Sequence, residues 1–132
     1  MLSGFVMKAF KAIIIDVFEK DRFINRYSLN NETISVGRHP HCDIVLANSS
    51  ISRRHAFISY KNGQWTITNQ GKNGVYFKGK EIDQQDIMAD NEFLIGPYRL
   101  LIKKIAVDKS CNIEASGKEE TFIANITRNI QN

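Results

Sequence analysis

Two runs with alternating apolar residues, Arg54 to Tyr60 and Gln64 to Thr68, face each other across Asn62-Gly63. That dipeptide between alternating runs is the strongest short-range hairpin signal a sequence offers. Nothing before residue 105 has the 3.6-residue periodicity of a helix. Phe10 to Phe18 carries Ile13, Ile14, Ile15 and Val17 and is too short and too β-branched for a helix, so it reads as a buried strand. Arg22 to Leu29 alternates loosely and stops at the turn signal Asn30-Asn31. Thr33 to Val36 alternates cleanly, with Ile34 and Val36 on the core face. Pro40 cannot donate to a ladder and forbids that strand from continuing. Asp43 to Leu46 forms a short strand, Gly74 to Phe77 leads to a turn at Lys78-Gly79, and Glu92 to Ile95 pairs with Tyr98 to Ile105 around Gly96-Pro97. About ten short strands at this spacing predict an all-β sandwich rather than βαβ units. Trp65, Ile67 and Phe57 are expected in its core, and Tyr60 and Tyr76 are expected to be packing residues.

At 132 residues the chain is long enough to bury one core but not two. Its longest apolar runs fall far short of the roughly 20 residues of a membrane span. The start, MLSGFVMKAF, lacks an apolar stretch ending in a small-residue cleavage site, so no secretory signal is expected. Cys42 and Cys111 match no metal or redox spacing, which favours a reduced, cytoplasmic setting and no cofactor. A net charge of +4 is not the dense basic field of a dedicated nucleic-acid binder.

Where the charge sits says more. Arg38, His39, His41, Arg53, Arg54, His55 and Lys72 fall in or beside three loops, at Gly37-Arg38, at Ser52 to His55 and at Lys72-Asn73-Gly74. Such clustering points to an anionic partner. Arg38 offers a planar fork that matches two oxygens of a phosphate, Ser52 offers a hydroxyl, and Gly37 leaves room for close backbone approach. A metal at His39-Pro40-His41-Cys42-Asp43 is not expected, because zinc needs three or four ligands and no second cluster exists. Ser52 and His55 are the only nucleophile and base close in sequence. In an extended chain they would point to opposite faces, so no catalysis is expected.

The pieces Gly37-Arg38, Cys42-Asp43-Ile44, Ser52-Arg53-Arg54-His55-Ala56, Asn73-Gly74 and Lys78-Gly79-Lys80 occur in an order and at a spacing that resembles a forkhead-associated (FHA) domain, a likeness extending over about Phe10 to Ile105. The resemblance implies an eleven-stranded, mostly antiparallel β-sandwich that binds phosphothreonine peptides through loops at one end. Carried over by position, Arg38 would meet the phosphate and Ser52 would donate its hydroxyl. Arg53 would contact phosphate or peptide backbone, and Asn73 would bond the peptide backbone. Lys72 stands near the phosphate where the family often has threonine or serine, and His55, with Gly37 and Gly74, would brace the loops. Ser50 holds a position that helps choose the residue third after the phosphothreonine, and a serine there predicts no strong demand for an acidic side chain. Gly71 and Val75 replace the common serine and threonine.

The expected organisation is a lead-in over 1–9, the domain over 10–106 and a tail over 107–132. In the tail, Ser116 and Glu119 form a candidate capping box, and Phe122, Ile126 and Ile130 recur every fourth residue. A short amphipathic helix and a disordered tail are both open readings. The apolar face of that segment motivates an alternative to phosphopeptide binding, a phospho-independent structural or dimerisation module using the sandwich faces or the tail.

Overall fold

The computed structural model describes residues 11–107. They form β1 (Lys11–Glu19), β2 (Arg22–Leu29), β3 (Thr33–Gly37), β4 (Ile44–Val45), β5 (Ala56–Lys61), β6 (Gln64–Asn69), β7 (Val75–Phe77), β8 (Lys80–Ile82), β9 (Gln84–Asp86), β10 (Glu92–Ile95) and β11 (Tyr98–Val107). The strands make two sheets, ordered β2-β1-β11-β10-β7-β8 and β4-β3-β5-β6-β9. Every pairing with a defined register is antiparallel except β3 with β4. The fold is an all-β sandwich, with no helix among the described residues.

Period-two alternation builds the core. Ile13, Ile15 and Val17 of β1 meet Ile34 and Val36 of β3, Ile58 of β5, Trp65 and Ile67 of β6 and Leu100 and Ile102 of β11 in one cluster, each at most 1% exposed. The expected hairpin joins β5 to β6, with Asn62 and Gly63 at φ 52° and 81°, the paired positive values of a type I′ turn. One core expectation, Phe57, and one packing expectation, Tyr76, are corrected. Phe57 alternates with the buried Ala56 and Ile58, so it stands half-buried on the outer face of its sheet. Tyr76 lies on the outer face of β7 and is 38% exposed.

The outer face of the six-stranded sheet carries a continuous cross-strand row. Phe23 pairs with Phe18, Phe18 with Arg99, Arg99 with Leu94, Leu94 with Tyr76, and Tyr76 with Glu81. Phe18 and Phe23 meet edge to face at 5.7 Å, and the Arg99 guanidinium lies 4.2 Å from the Phe18 ring centroid. One row beyond, Asp16 is 5% exposed and receives two bonds from Arg26, Nε at 2.6 Å and Nη2 at 2.9 Å. The candidate capping box and the apolar repeat at Phe122, Ile126 and Ile130 lie outside the described residues.

Candidate functional site

The loops β3–β4, β4–β5 and β6–β7 come together through their own hydrogen bonds. Arg38 N–H donates to the Ser52 carbonyl at 3.1 Å and His39 N–H to the Arg53 carbonyl at 3.2 Å. Lys72 N–H donates to Ser52 Oγ at 3.0 Å, and Asn73 Nδ2 donates to the Ser50 carbonyl at 2.8 Å. Arg38, Ser52, Lys72 and Asn73, dispersed in sequence, are therefore linked at one rim of the sandwich. Arg53 is an exposed side chain on the same rim, joined through its backbone carbonyl.

The bonds also fix which donors remain outward. Arg38 Nε–H donates to the Ile51 carbonyl at 3.0 Å, while its two terminal nitrogens bond to nothing among the described residues. Four N–H groups of the fork are thus available to a ligand. Ser52 Oγ accepts from Lys72, which leaves the hydroxyl proton to donate elsewhere. The ion pairs among the described residues join Lys11 to Glu32, Arg22 to Glu19, Arg26 to Asp16 and Arg99 to Glu92. None involves Arg38, Arg53, Arg54 or Lys72, so the rim's positive charge is uncompensated.

His55 holds this arrangement from below. It is fully buried; its Nδ1 accepts the Ser52 N–H at 2.9 Å and its Nε2 lies 2.8 Å from the Gly74 carbonyl. Those partners define the neutral tautomer with the proton on Nε2. One imidazole therefore joins the β4–β5 loop to the β6–β7 loop. Residues 52–55 are not extended, contrary to the assumption that separated Ser52 from His55. The histidine does reach Ser52, but at its backbone N–H rather than its hydroxyl, so no nucleophile and base pair forms.

Two glycines are explained by contact rather than by ligand approach. A Cβ at Gly37 would lie 2.2 Å from the Arg53 carbonyl oxygen, so the space expected for a ligand is occupied by the neighbouring loop. A Cβ at Gly71 would lie 2.2 Å from His55 Cδ2 and Nε2. The glycine that replaces a common serine is what lets the buried ring sit under the loop. Sequence reasoning saw Gly71 only as a departure from a common serine and missed its packing role, and it missed the roles of Asn48 and Asn69. Asn48 Oδ1 accepts the N–H and Oγ of Ser50 at 2.8 and 2.7 Å, and Asn69 Oδ1 accepts the Gly71 N–H at 2.9 Å. An asparagine two residues before a small residue is the signature of an Asx-turn and could have found both.

Beside Arg38, the His39 and His41 rings meet edge to face at 5.1 Å, and His39 Nδ1 accepts the His41 N–H at 3.0 Å. His39 is held below the ordinary histidine range, first by partial loss of hydration and then by the charges of His41, Arg53 and Arg54. Cys42 is buried, its Sγ 3.4 Å from the Arg53 carbonyl oxygen. No cluster of metal-ligating side chains occurs among the described residues.

A two-sheet β-sandwich with loops knitted in this way is the arrangement of FHA domains, and residues 34–96 of the chain match the family model described as FHA domain. The chain is 35% identical over 78 residues to the glycogen accumulation regulator GarA of Mycolicibacterium smegmatis, an alignment covering 58% of this chain and 49% of the relative. It is 34% identical over 77 residues to the oxoglutarate dehydrogenase inhibitor of Corynebacterium efficiens, covering 58% and 54%. It thus spans about half the length of these relatives. Among solved structures, the FHA domain of the CT664 protein from Chlamydia trachomatis superposes with a TM-score of 0.63 at 28% identity, covering 70% of this chain and 97% of that one. The N-terminal FHA domain of S. cerevisiae Rad53p, solved with a phosphothreonine peptide, shares the fold with a TM-score of 0.60 at 18% identity, covering 68% and 91%. The relatives named here are a regulator and an inhibitor.

Proposed function

We propose that the domain is a phosphothreonine-dependent protein-binding module of signalling or scaffolding type. Arg38, Ser52, Arg53, Lys72 and Asn73 form the site, Gly37, His55 and Gly74 support it, and Ser50 contributes to the choice of peptide sequence. The observation that carries this reading is the Arg38 guanidinium, anchored through Nε on Ile51 with its terminal donors unpaired, on the rim where its backbone N–H and that of Lys72 both bond to Ser52. A phosphothreonine brings about −1.5 to −2 charges and three acceptor oxygens, which suit this set of donors. The match of residues 34–96 to the FHA family model and the phosphothreonine peptide bound by Rad53p support it.

Two or three charge-assisted bonds of roughly 1.5 to 3 kcal/mol each, less the cost of ordering a peptide, give binding near −8 kcal/mol, a micromolar Kd. The module is a reversible reader rather than an enzyme, working in the cytoplasm as the domain of residues 10–106, with 107–132 as its C-terminal tail. Isothermal titration with matched phosphorylated and unphosphorylated threonine peptides tests it, and equal affinity for the two overturns it.

A second reading, phospho-independent self-association through a sandwich face, is favoured by the outer row in which Phe23 is 52% and Leu94 45% exposed. Sedimentation velocity distinguishes it, since a monomer at high micromolar concentration removes that reading.

A further inference from the structure

The β3–β4 and β4–β5 loops expose more cations and ring donors than one phosphate can engage. His39, His41, Arg53 and Arg54 lie together, with His39 N–H on the Arg53 carbonyl and the two imidazoles in edge-to-face contact. Arg53, Arg54 and His41 are exposed, and neither arginine has an acidic partner among the described residues. Because His39 Nδ1 accepts the His41 N–H, its remaining ring nitrogen is the one that carries a proton and can donate.

The other side of the site is electrostatically mixed, since its loop carries Lys72. In the order of the five-stranded sheet, β3, β5 and β6 are successive neighbours, so the Ser52 loop lies between the histidine loop and the loop that ends at Gly74. At Gly74 a Cβ would lie 2.7 Å from Glu81 Oε2, which puts a carboxylate beside that third loop. A ligand running across the rim meets two arginines and ring donors on one side of Ser52, and on the other a lysine accompanied by a carboxylate.

Resting on the phosphothreonine reading above, we infer that His39, His41 and Arg54, with Arg53 shared between the two, form an auxiliary anion subsite. The preferred ligand is then a phosphothreonine peptide bearing a second anionic group, an acidic side chain or another phosphate, on one flank only. An extended peptide advances about 3.3–3.6 Å per residue. The loops touch at hydrogen-bond distance, so the second anion falls within about three residues of the phosphothreonine.

The test uses the full chain and four phosphothreonine peptides: alanine-flanked, aspartate on the N-terminal flank, aspartate on the C-terminal flank, and a second phosphothreonine on whichever flank the aspartate favours. The aspartate peptide of one flank should bind about fivefold tighter than the alanine-flanked peptide, a surface-charge gain. The doubly phosphorylated peptide should gain about tenfold or more. Arg54→Gln combined with His41→Gln should abolish both gains and leave affinity for the alanine-flanked peptide unchanged. The aspartate and phosphate arms separate the two sources of the anion, and a gain from either supports the subsite. Equal binding of all four peptides, equal gains on both flanks, or gains that persist in the double variant would overturn it. Loss of phosphate dependence with the alanine-flanked peptide would instead overturn the reading of the primary site, and the subsite with it.

Discussion

Arg38 and Ile51 are bound side chain to backbone, Nε–H to carbonyl oxygen at 3.0 Å, and this one bond decides how the guanidinium is presented. Lysine has no donor at the Nε position and no fork. Arg38→Lys is therefore expected to weaken phosphothreonine-peptide binding at least tenfold despite keeping the charge, and Arg38→Ala further still. Titration of both variants, with unchanged circular dichroism, checks this; full affinity in Arg38→Lys would mean the fork is not used.

Ser52→Ala removes the acceptor for the Lys72 N–H and the hydroxyl proposed to donate to the phosphate. The binding loss should be about 1.5 to 3 kcal/mol for a bond to a charged group. Hydrogen exchange supplies an independent readout, because the Lys72 amide should exchange faster in the variant without ligand. Ser52→Thr should restore protection.

At Gly71 the structure predicts damage from a single methyl group. The Cβ of alanine would overlap the His55 ring, which is buried and tied at both nitrogens, so neither partner yields cheaply. Overpacking of this kind costs about 1–3 kcal/mol, or roughly 4–25 °C in Tm for a domain of this size. Gly79→Ala is the control: it has open space around the Cβ but a φ of 81°, so only the backbone cost of about 1–3 kcal/mol applies. Only Gly71→Ala should also weaken phosphopeptide binding.

Acid should act twice. The His39 pKa is lowered in the folded state, so below the ordinary histidine value near 6.5 the unfolded chain binds the proton more readily than the folded one. Its contribution is neutral well above that value, and stability falls as pH drops through it toward the folded pKa. Thermal unfolding between pH 7.5 and 5 should show a declining Tm that flattens in His39→Gln. Phosphopeptide affinity should fall over the same range as the phosphate, with a second pKa near 6, becomes a monoanion. Binding that is flat to pH 5 would argue against a dianion in the site.

The strands that could be read from sequence are those whose pattern is local. Asn62-Gly63 carries its own turn geometry, and Thr33 to Gly37 shows its buried face in alternation. The three-residue strands β8 and β9 carry mostly exposed polar residues and are held only by pairing with β7 and β6, which no local pattern records. Phe57 was misassigned because an aromatic residue in a strand reads as core, although its own alternation with Ala56 and Ile58 marks the other face. In the site, Arg38 and Ser52 were visible through residue type and resemblance. The purposes of Gly37 and Gly71 were not, since each answers to an atom 16 residues away in the chain.

A histidine that is at once interior packing and the tie between two recognition loops has a price in robustness. The placing of those loops is set when the chain folds, so on the reading proposed above a phosphopeptide would find them ready and could leave as quickly as it came. By the same token, softening around that ring, wherever the change is made, would silence recognition before the chain lost its overall form.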